Sequence, residues 1–230
     1  MTSPLDRPVW HALTGPQAHL SQGTPPALRI DPGYGPFAAA APGQEHALSG
    51  LLETRDDTVW TVEAEPFSAP EGLVALRTAA LVQMVASNGA TPNTGAADMP
   101  PMRLLGKGDA PAMAALAEAT QPGPWAHGTW HYGDFFGIFV DGRLAAMAGE
   151  RMRPAPGYAE VSGVAVWPEF RGRGWAAALI RRVMAGFAER GDIAFLHSYA
   201  ENAGAIRLYE SLGFRIRRPM TATVWGRAAS

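Results

Sequence analysis

Arg171-Gly172-Arg173-Gly174-Trp175-Ala176 stands between an apolar, β-branched run, Val161 to Val166, and a long amphipathic segment, Trp175 to Phe187. That order reads as strand, glycine-rich turn, helix. The first N–H groups of a helix lack intrahelical partners, and the helix dipole adds partial positive charge there. Two glycines let a ligand approach the backbone, and two arginines add cationic donors. The stretch therefore predicts an anion site, with a diphosphate as its natural guest.

Around this stretch the pattern is α+β. Met102 to Leu105 reads as a short strand, and Asp109 as the N-cap of a helix through Glu118 with Pro111 in its first turn. Phe135 to Val140 and Arg143 to Arg153 read as strands joined by an Asp141-Gly142 hairpin turn, and Tyr158 to Val166 as the strand that follows. Leu179, Val183 and Phe187 share one face of the next helix, which Gly191 stops. Phe195 to Tyr199 is a strand, and Asn202 caps a helix from Ala203 to about Leu212, closed by Gly213. Final strands are expected at Arg215 to Arg218 and Thr221 to Trp225. These elements suit one mixed, mostly antiparallel sheet flanked by helices rather than repeating βαβ units.

The stretch from Ala86 to Pro101, rich in Gly, Pro, Asn and Thr, reads as a linker or long loop. It divides the chain into residues 1–98, of unknown role, and residues 99–230. In the first part, helices are expected near Val9 to Ser21, Glu45 to Thr54 and Leu73 to Ala86, and strands at Ala27 to Ile30 and Val59 to Glu63. That part is either an α/β extension or a degenerate copy of the second.

Apolar residues make up 47% of the chain, which supports a substantial core. No cysteine is present, so disulfides, thiolate metal sites and a cysteine nucleophile are excluded. Net charge is −2, unevenly spread: residues 1–100 hold four basic and ten acidic side chains, residues 101–230 fifteen and eleven. The second part suits a small polyanion but is too weakly basic for a nucleic-acid footprint. No apolar run approaches membrane-spanning length, and Met1 to Arg7 has neither the basic start nor the apolar core of a secretory signal. A cytoplasmic protein without membrane or nucleic-acid partners is expected. His127 and His131 lack a third ligand, so no metal site is expected.

Val164-Ala165-Val166-Trp167-Pro168-Glu169-Phe170, then Arg171, Gly174 and Ala176, then Asn202 to Phe214 together resemble the GCN5-related N-acetyltransferase (GNAT) superfamily, in particular its FR47-like branch. The superfamily signature is Arg or Gln, two residues, Gly, one residue, Gly or Ala. Two motifs in the right order, spaced by one helix and one strand, carry the resemblance, which covers roughly residues 101 to 230.

The resemblance implies a GNAT-like acyl-CoA N-acyltransferase fold. It implies transfer of an acyl group, most often acetyl from acetyl-CoA, to a primary amine of a small molecule or peptide by direct attack. Arg171, Gly172, Arg173, Gly174, Trp175 and Ala176 would then cradle the CoA pyrophosphate. The main chain of Val164, Ala165 and Val166 would pair with the pantetheine arm, and Asn202 would lie near that arm as well as capping its helix. Tyr209 would be the general acid for the departing sulfur, although its spacing from Ile206 and Leu212 equally suits core packing. Glu160 is the first candidate for a base and Glu150 the second, with water and backbone an alternative to either. Trp125, Trp130, His131, Tyr132, Asp134 and Phe135 could wall an acceptor pocket or form a packed corner. The rival to an enzyme is a non-catalytic acyl-CoA-binding or sensing module; the chain could act as a monomer or homodimer.

Overall fold

The structure, a computed structural model, describes residues 3–87 and 100–228. In chain order the elements are α1 (Pro8–Thr14), β1 (Ser21–Thr24), β2 (Ala27–Ile30), β3 (Ala38–Ala40), β4 (Val59–Glu63), β5 (Leu73–Ala86), β6 (Met102–Leu104) and α2 (Ala110–Thr120). They continue with β7 (Phe135–Val140), β8 (Arg143–Glu150), β9 (Tyr158–Val166), α3 (Trp175–Glu189), β10 (Ile193–Tyr199), α4 (Ala203–Ser211) and β11 (Phe214–Arg227). Eight strands form one sheet in the order β4-β11-β5-β10-β9-β8-β7-β6, and β1-β2-β3 form a small second sheet. Among the strands of the described residues, β9 and β10 alone pair parallel in the large sheet; their neighbours pair antiparallel. This is the mixed α+β architecture expected.

Periodicity explains the helices of the second part. In α3, Leu179, Val183 and Phe187 are all buried, as are Ile180 and Met184. In α4 the Asn202 side chain accepts from the Ala205 N–H at 3.1 Å, the cap that the sequence predicts. These two helices cover one face of the sheet around Met84, Phe136, Val161, Leu196 and Phe214. The other face packs against α1 and the small sheet through Leu5, Val9, Ile30, Phe37, Leu81 and Phe195. It packs against α2 through Met113, Leu116, Phe135 and Met147.

Several elements differ from expectation. Leu73–Ala86 is a 14-residue strand, not a helix. It lies between β10 and β11, and its Leu81, Gln83 and Met84 are buried. Only its second half, from Leu81, is largely covered, while Val74 to Thr78 are exposed; the Ala, Leu and Met content of the run mimics helix propensity. The first helix stops at Thr14, because Pro16 disfavours helical backbone at Gly15; Ser21 already opens β1. Glu45–Leu51 is a 3-10 helix. Asp109 does not cap α2 with its side chain; its carboxylate instead takes Arg103 and the Gly106 N–H. The two final strands are one, bulged near Arg217. The linker expected at Ala86 to Pro101 lies, from 88 to 99, outside the described residues, as does the 98/99 boundary. Strands from both sides of that boundary, β4 and β5 with β10 and β11, share the large sheet.

The site depends on one irregularity. β9 and β10 pair only through Tyr158, Ala159 and Glu160 with Ile193, Ala194 and Phe195. Beyond that they part. On the other side of β9, the register against β8 skips between Met147/Ala165 and Gly149/Ser162, so Gly163 and Val164 oppose Ala148 alone. Gly163 has φ +62, and a Cβ there would stand 2.7 Å from the Phe135 ring. A bulge with glycine in the left-handed region bends the strand and increases its twist, and it falls in the stretch of β9 that no longer pairs with β10.

Gly163→Ala is expected to destabilise the protein by about 2 kcal/mol, from left-handed strain plus the clash with Phe135. Chemical denaturation against the unaltered protein measures the whole effect, and an alanine at Gly142, which shares the positive φ but has nothing within 4 Å, isolates the part due to the clash.

Candidate active site

Where β9 and β10 separate, a cavity of about 620 Å³ passes through the sheet. Val164, Ala165 and Val166 line it from β9, and His197, Ser198 and Tyr199 from β10. Arg171 and Ala176 at the start of α3, and Asn202, Leu208 and Tyr209 of the α4 region, line the end nearest those helices. Phe37, Trp60, Val62, Leu81, Ala222 and Val224 line it on the face covered by the N-terminal elements. Arg77, Arg151 and the Gln121–Pro124 turn complete the wall.

At the helix end, Gly172 and Gly174 both have φ +77, and nothing lies within 4 Å of where their Cβ atoms would be. The loop can turn there without strain and leaves its backbone open to an incoming group. Gly174 is the N-cap of α3 and carries no side chain to cap it. The first N–H groups of a 15-residue helix thus remain without side-chain acceptors, a donor set that suits an anion. The neighbouring side chains are held by local contacts. Arg171 Nε lies 3.3 Å from the Val166 carbonyl. The Arg173 guanidinium sits over Phe170 and Trp175. Trp175 is buried and stacked on Phe170, so it can offer a ligand its backbone but not its ring. Arg171 and Ala176 face the cavity; Gly172, Arg173, Gly174 and Trp175 do not line it.

Tyr209 lines the cavity and also meets the Phe214 ring edge-on at 6.1 Å. Its packing and site readings therefore coexist. Burial raises its phenol above the ordinary 10, so it remains protonated at neutral pH.

Glu160 is placed differently from the base that the sequence suggested. It is fully buried and does not line the cavity. One oxygen accepts from Arg151 Nη2 at 2.9 Å and His197 Nδ1 at 2.8 Å; the other accepts from Arg151 Nε at 3.0 Å and the Met152 N–H at 3.3 Å. Burial alone would raise this carboxyl, but the Arg151 charge and the bonds from His197 and Arg151 overcome it and hold it at about 2. A carboxylate so engaged is a poor proton acceptor. Glu150 is also buried, paired with Arg153 and with Arg190 at 2.8 Å. It faces a separate cavity of about 340 Å³ that His131, Tyr132 and Asp134 line too. The expected aromatic wall accordingly lies elsewhere: Trp125 packs edge-on against Phe135 in the core.

His197 is equally engaged. Gln83 Nε2 donates to the Leu5 carbonyl at 2.7 Å and stands 3.0 Å from His197 Nε2, while Arg217 donates to Gln83 Oε1 at 2.8 Å. With the amide so oriented, His197 Nε2 accepts and Nδ1–H donates to Glu160. Among the described residues, no group of three or more His, Asp or Glu side chains could hold a metal ion.

The sequence reading missed the wall from the first part of the chain: Phe37, Trp60, Val62, Arg77 and Leu81. No local motif marks them, because strand pairing across the sheet brings them together. Val59 to Glu63, read as a strand, supplied two of them without a role.

A sheet opened between its two parallel strands, beside a glycine turn that starts a helix, is the arrangement of the GNAT acetyltransferases. The FR47-like protein family model matches residues 135–225, which include both motifs. A solved GNAT-family structure from Novosphingobium aromaticivorans DSM 12444 superimposes with TM-score 0.93 at 58% identity, covering 99% of this chain and 100% of that one. The [ribosomal protein bS18]-alanine N-acetyltransferase of Salmonella typhimurium strain LT2 is 31% identical over 137 residues, 54% of this chain and 88% of the relative. A GCN5-related N-acetyltransferase structure from Kribbella flavida shares the fold at TM-score 0.61 and 17% identity, over 91% of this chain and 90% of that one. The chain belongs to the GCN5-related N-acetyltransferase family.

The folded Glu160 carboxyl sits at about 2 against an ordinary 4.5. The stability it contributes, about 3 kcal/mol, is full above pH 4.5 and is lost as pH falls from there towards 2. Glu160→Gln should lower stability at neutral pH by about 3–5 kcal/mol, because it leaves a buried guanidinium uncompensated. It should also flatten the dependence between pH 4.5 and 2. Denaturation midpoints measured across that range check both.

Proposed function

We propose that the protein is an acyl-CoA-dependent N-acyltransferase that moves an acetyl group from acetyl-CoA to a primary amine of a small molecule or peptide. The observation that carries this reading is a single cavity, reached by a helix-start anion site on one face of the sheet and by an apolar wall on the other. The residues fit acetyl-CoA. The open N–H groups at Gly174 and the start of α3, with Arg171 and Arg173 beside them, suit its pyrophosphate. The β9 edge at Val164 to Val166, unpaired on the side facing β10, suits an amide-bearing arm that adds like a strand. Bound there, acetyl-CoA supplies an acyl carbon activated as a thioester.

The acceptor nitrogen bonds to that carbon as the carbon–sulfur bond breaks. Tyr209 gives its phenolic proton to the departing sulfur, and the proton displaced from nitrogen returns, through water, to the phenolate. Protons, charge and the acyl group then balance, with the amide and free CoA as products. The ammonium proton of the incoming acceptor goes to water: the cavity lining holds no carboxylate among the described residues, and both His197 nitrogens are engaged. Glu160 holds the opening in shape rather than taking a proton. The similarity to an enzyme named for N-acetylation of an alanine of a ribosomal protein supports an amine acceptor in general.

Thiol release from acetyl-CoA over a panel of amines tests the activity. Acceptor-dependent release supports an enzyme; tight calorimetric binding without release from any amine would make the protein a sensor instead. Tyr209→Phe is expected to lower kcat by roughly a hundredfold while the acetyl-CoA KM holds. Unchanged turnover across pH in that variant would remove the general-acid role. The alkaline rise of kcat/KM should follow the pKa of each acceptor amine rather than a fixed enzyme group; one common inflection for amines of different basicity would point to a side-chain base.

A further inference from the structure

The end of the cavity walled by the N-terminal elements is lined by positive charge without a matching carboxylate among the described residues. Its lining includes Arg77 and Arg151 but no Asp or Glu among the described residues. Arg151 is neutralised by its two-bond pairing with Glu160. Arg77 has no such partner: none of the ion pairs among the described residues includes it. Its guanidinium stands 5.9 Å from the centre of the Tyr199 ring, on the strand that borders the opening. Beside it are Phe37, Trp60, Val62 and Leu81, an apolar surface with two aromatic rings.

Such a lining disfavours an acceptor whose only charge is its ammonium. A polyamine would bring cations into a cavity where a guanidinium has no ion-pair partner and no carboxylate lines the wall among the described residues, and like charges repel. An amine that carries its own carboxylate reverses the balance. Its anion can take Arg77 through charge-assisted, two-point hydrogen bonds, and its ammonium is offset by the same molecule. The apolar wall then asks for an apolar body. Resting on the acyltransferase reading above, we propose that the acceptor is a carboxylate-bearing amine with an aromatic or branched aliphatic side chain, of which a free apolar α-amino acid is the simplest form, and that Arg77 binds its carboxylate.

The test uses the full chain with acetyl-CoA and sets of acceptors matched in their apolar body: L-phenylalanine, L-phenylalaninamide and phenethylamine, with L-leucine and isoamylamine as a second set and spermidine as the cationic control. Values of kcat/KM are compared after correction for each amine's unprotonated fraction. The acids are expected to exceed their uncharged-tail partners on the order of tenfold to a hundredfold, the range of one charged hydrogen-bonding pair, and spermidine to be the poorest. Arg77→Ala should collapse that ratio towards one, chiefly through KM for the acid, Arg77→Lys should retain part of it, and Arg77→Glu should invert it. Arg77 is exposed, so thermal midpoint and acetyl-CoA binding by calorimetry should not move in these variants. Equal or better turnover of phenethylamine or spermidine overturns the proposal. So does a preference for the amide, which stands in for a peptide N-terminus, or a ratio that survives Arg77→Ala. Those outcomes leave the acyltransferase reading intact; acetyl-CoA binding with no release from any member of the panel overturns both.

Discussion

The Glu160 carboxylate and the groups around it set the geometry that everything else in the site uses. It belongs to the last parallel pair between β9 and β10, opposite Phe195. Past that pair the ladder ends and the strands part, which exposes backbone groups that would otherwise bond each other. An opening of this kind must have its rims fixed from outside the ladder. Glu160 does this by drawing Arg151, the Met152 N–H and His197 to one point. His197 passes the connection to Gln83 on β5, and Gln83 to Leu5 and to Arg217 on β11. A carboxylate with no solvent exposure is tolerable only because all of these donors converge on it.

From that constraint the two-sided site follows. The opening connects the face under α3 and α4 with the face under the N-terminal elements. Val164, Val166 and Tyr209 pack with the first core, while Phe37, Val62, Leu81 and Ala222 pack with the second. A donor held at the start of α3 and an acceptor held by β4, β5 and β11 would therefore reach the same point from opposite faces. That arrangement brings two reactants together without either having to pass the other, and it suits direct transfer in a ternary complex. In that reading residues 3–87 share in the site: β5 occupies the sheet beside β10 and lines the cavity with Arg77, Ala79 and Leu81.

The end of the cavity at the start of α3 was legible in the sequence because its chemistry is local. A glycine turn at a helix start, an Asn cap and a tyrosine two turns into the next helix are defined within a few residues of one another. The structure finds each in the expected element. The opposite end was not legible, because it is a product of strand order. Nothing near Arg77 in the sequence announces that β5 will lie between β10 and β11, and the apolar density of Leu73 to Ala86 suggested a helix. The same limit governs Glu160. Its position, eleven residues before Arg171, fitted a base; only the partners contributed by Arg151, His197 and Met152 show that its charge is already committed. A carboxylate's role depends on what stands beside it in space, and spacing along the chain does not carry that information.

The commitment of Glu160 also determines the electrostatics of the cavity. With that charge turned inward onto Arg151, and Glu150 turned to the opposite end onto Arg153 and Arg190, the opening keeps its guanidiniums and loses its carboxylates. In the proposed reaction, negative charge develops on the departing sulfur. A cavity of this sign favours that development, and a phenol kept protonated by burial holds a proton for the sulfur as the carbon–sulfur bond breaks, while the proton from nitrogen returns to the phenolate. The same sign makes a lone ammonium an unfavourable guest and leaves proton removal from the amine to water. In the proposed reaction, an acid at one end, anion recognition at the other and the lack of a side-chain base between them would be one electrostatic choice, made where the two parallel strands separate.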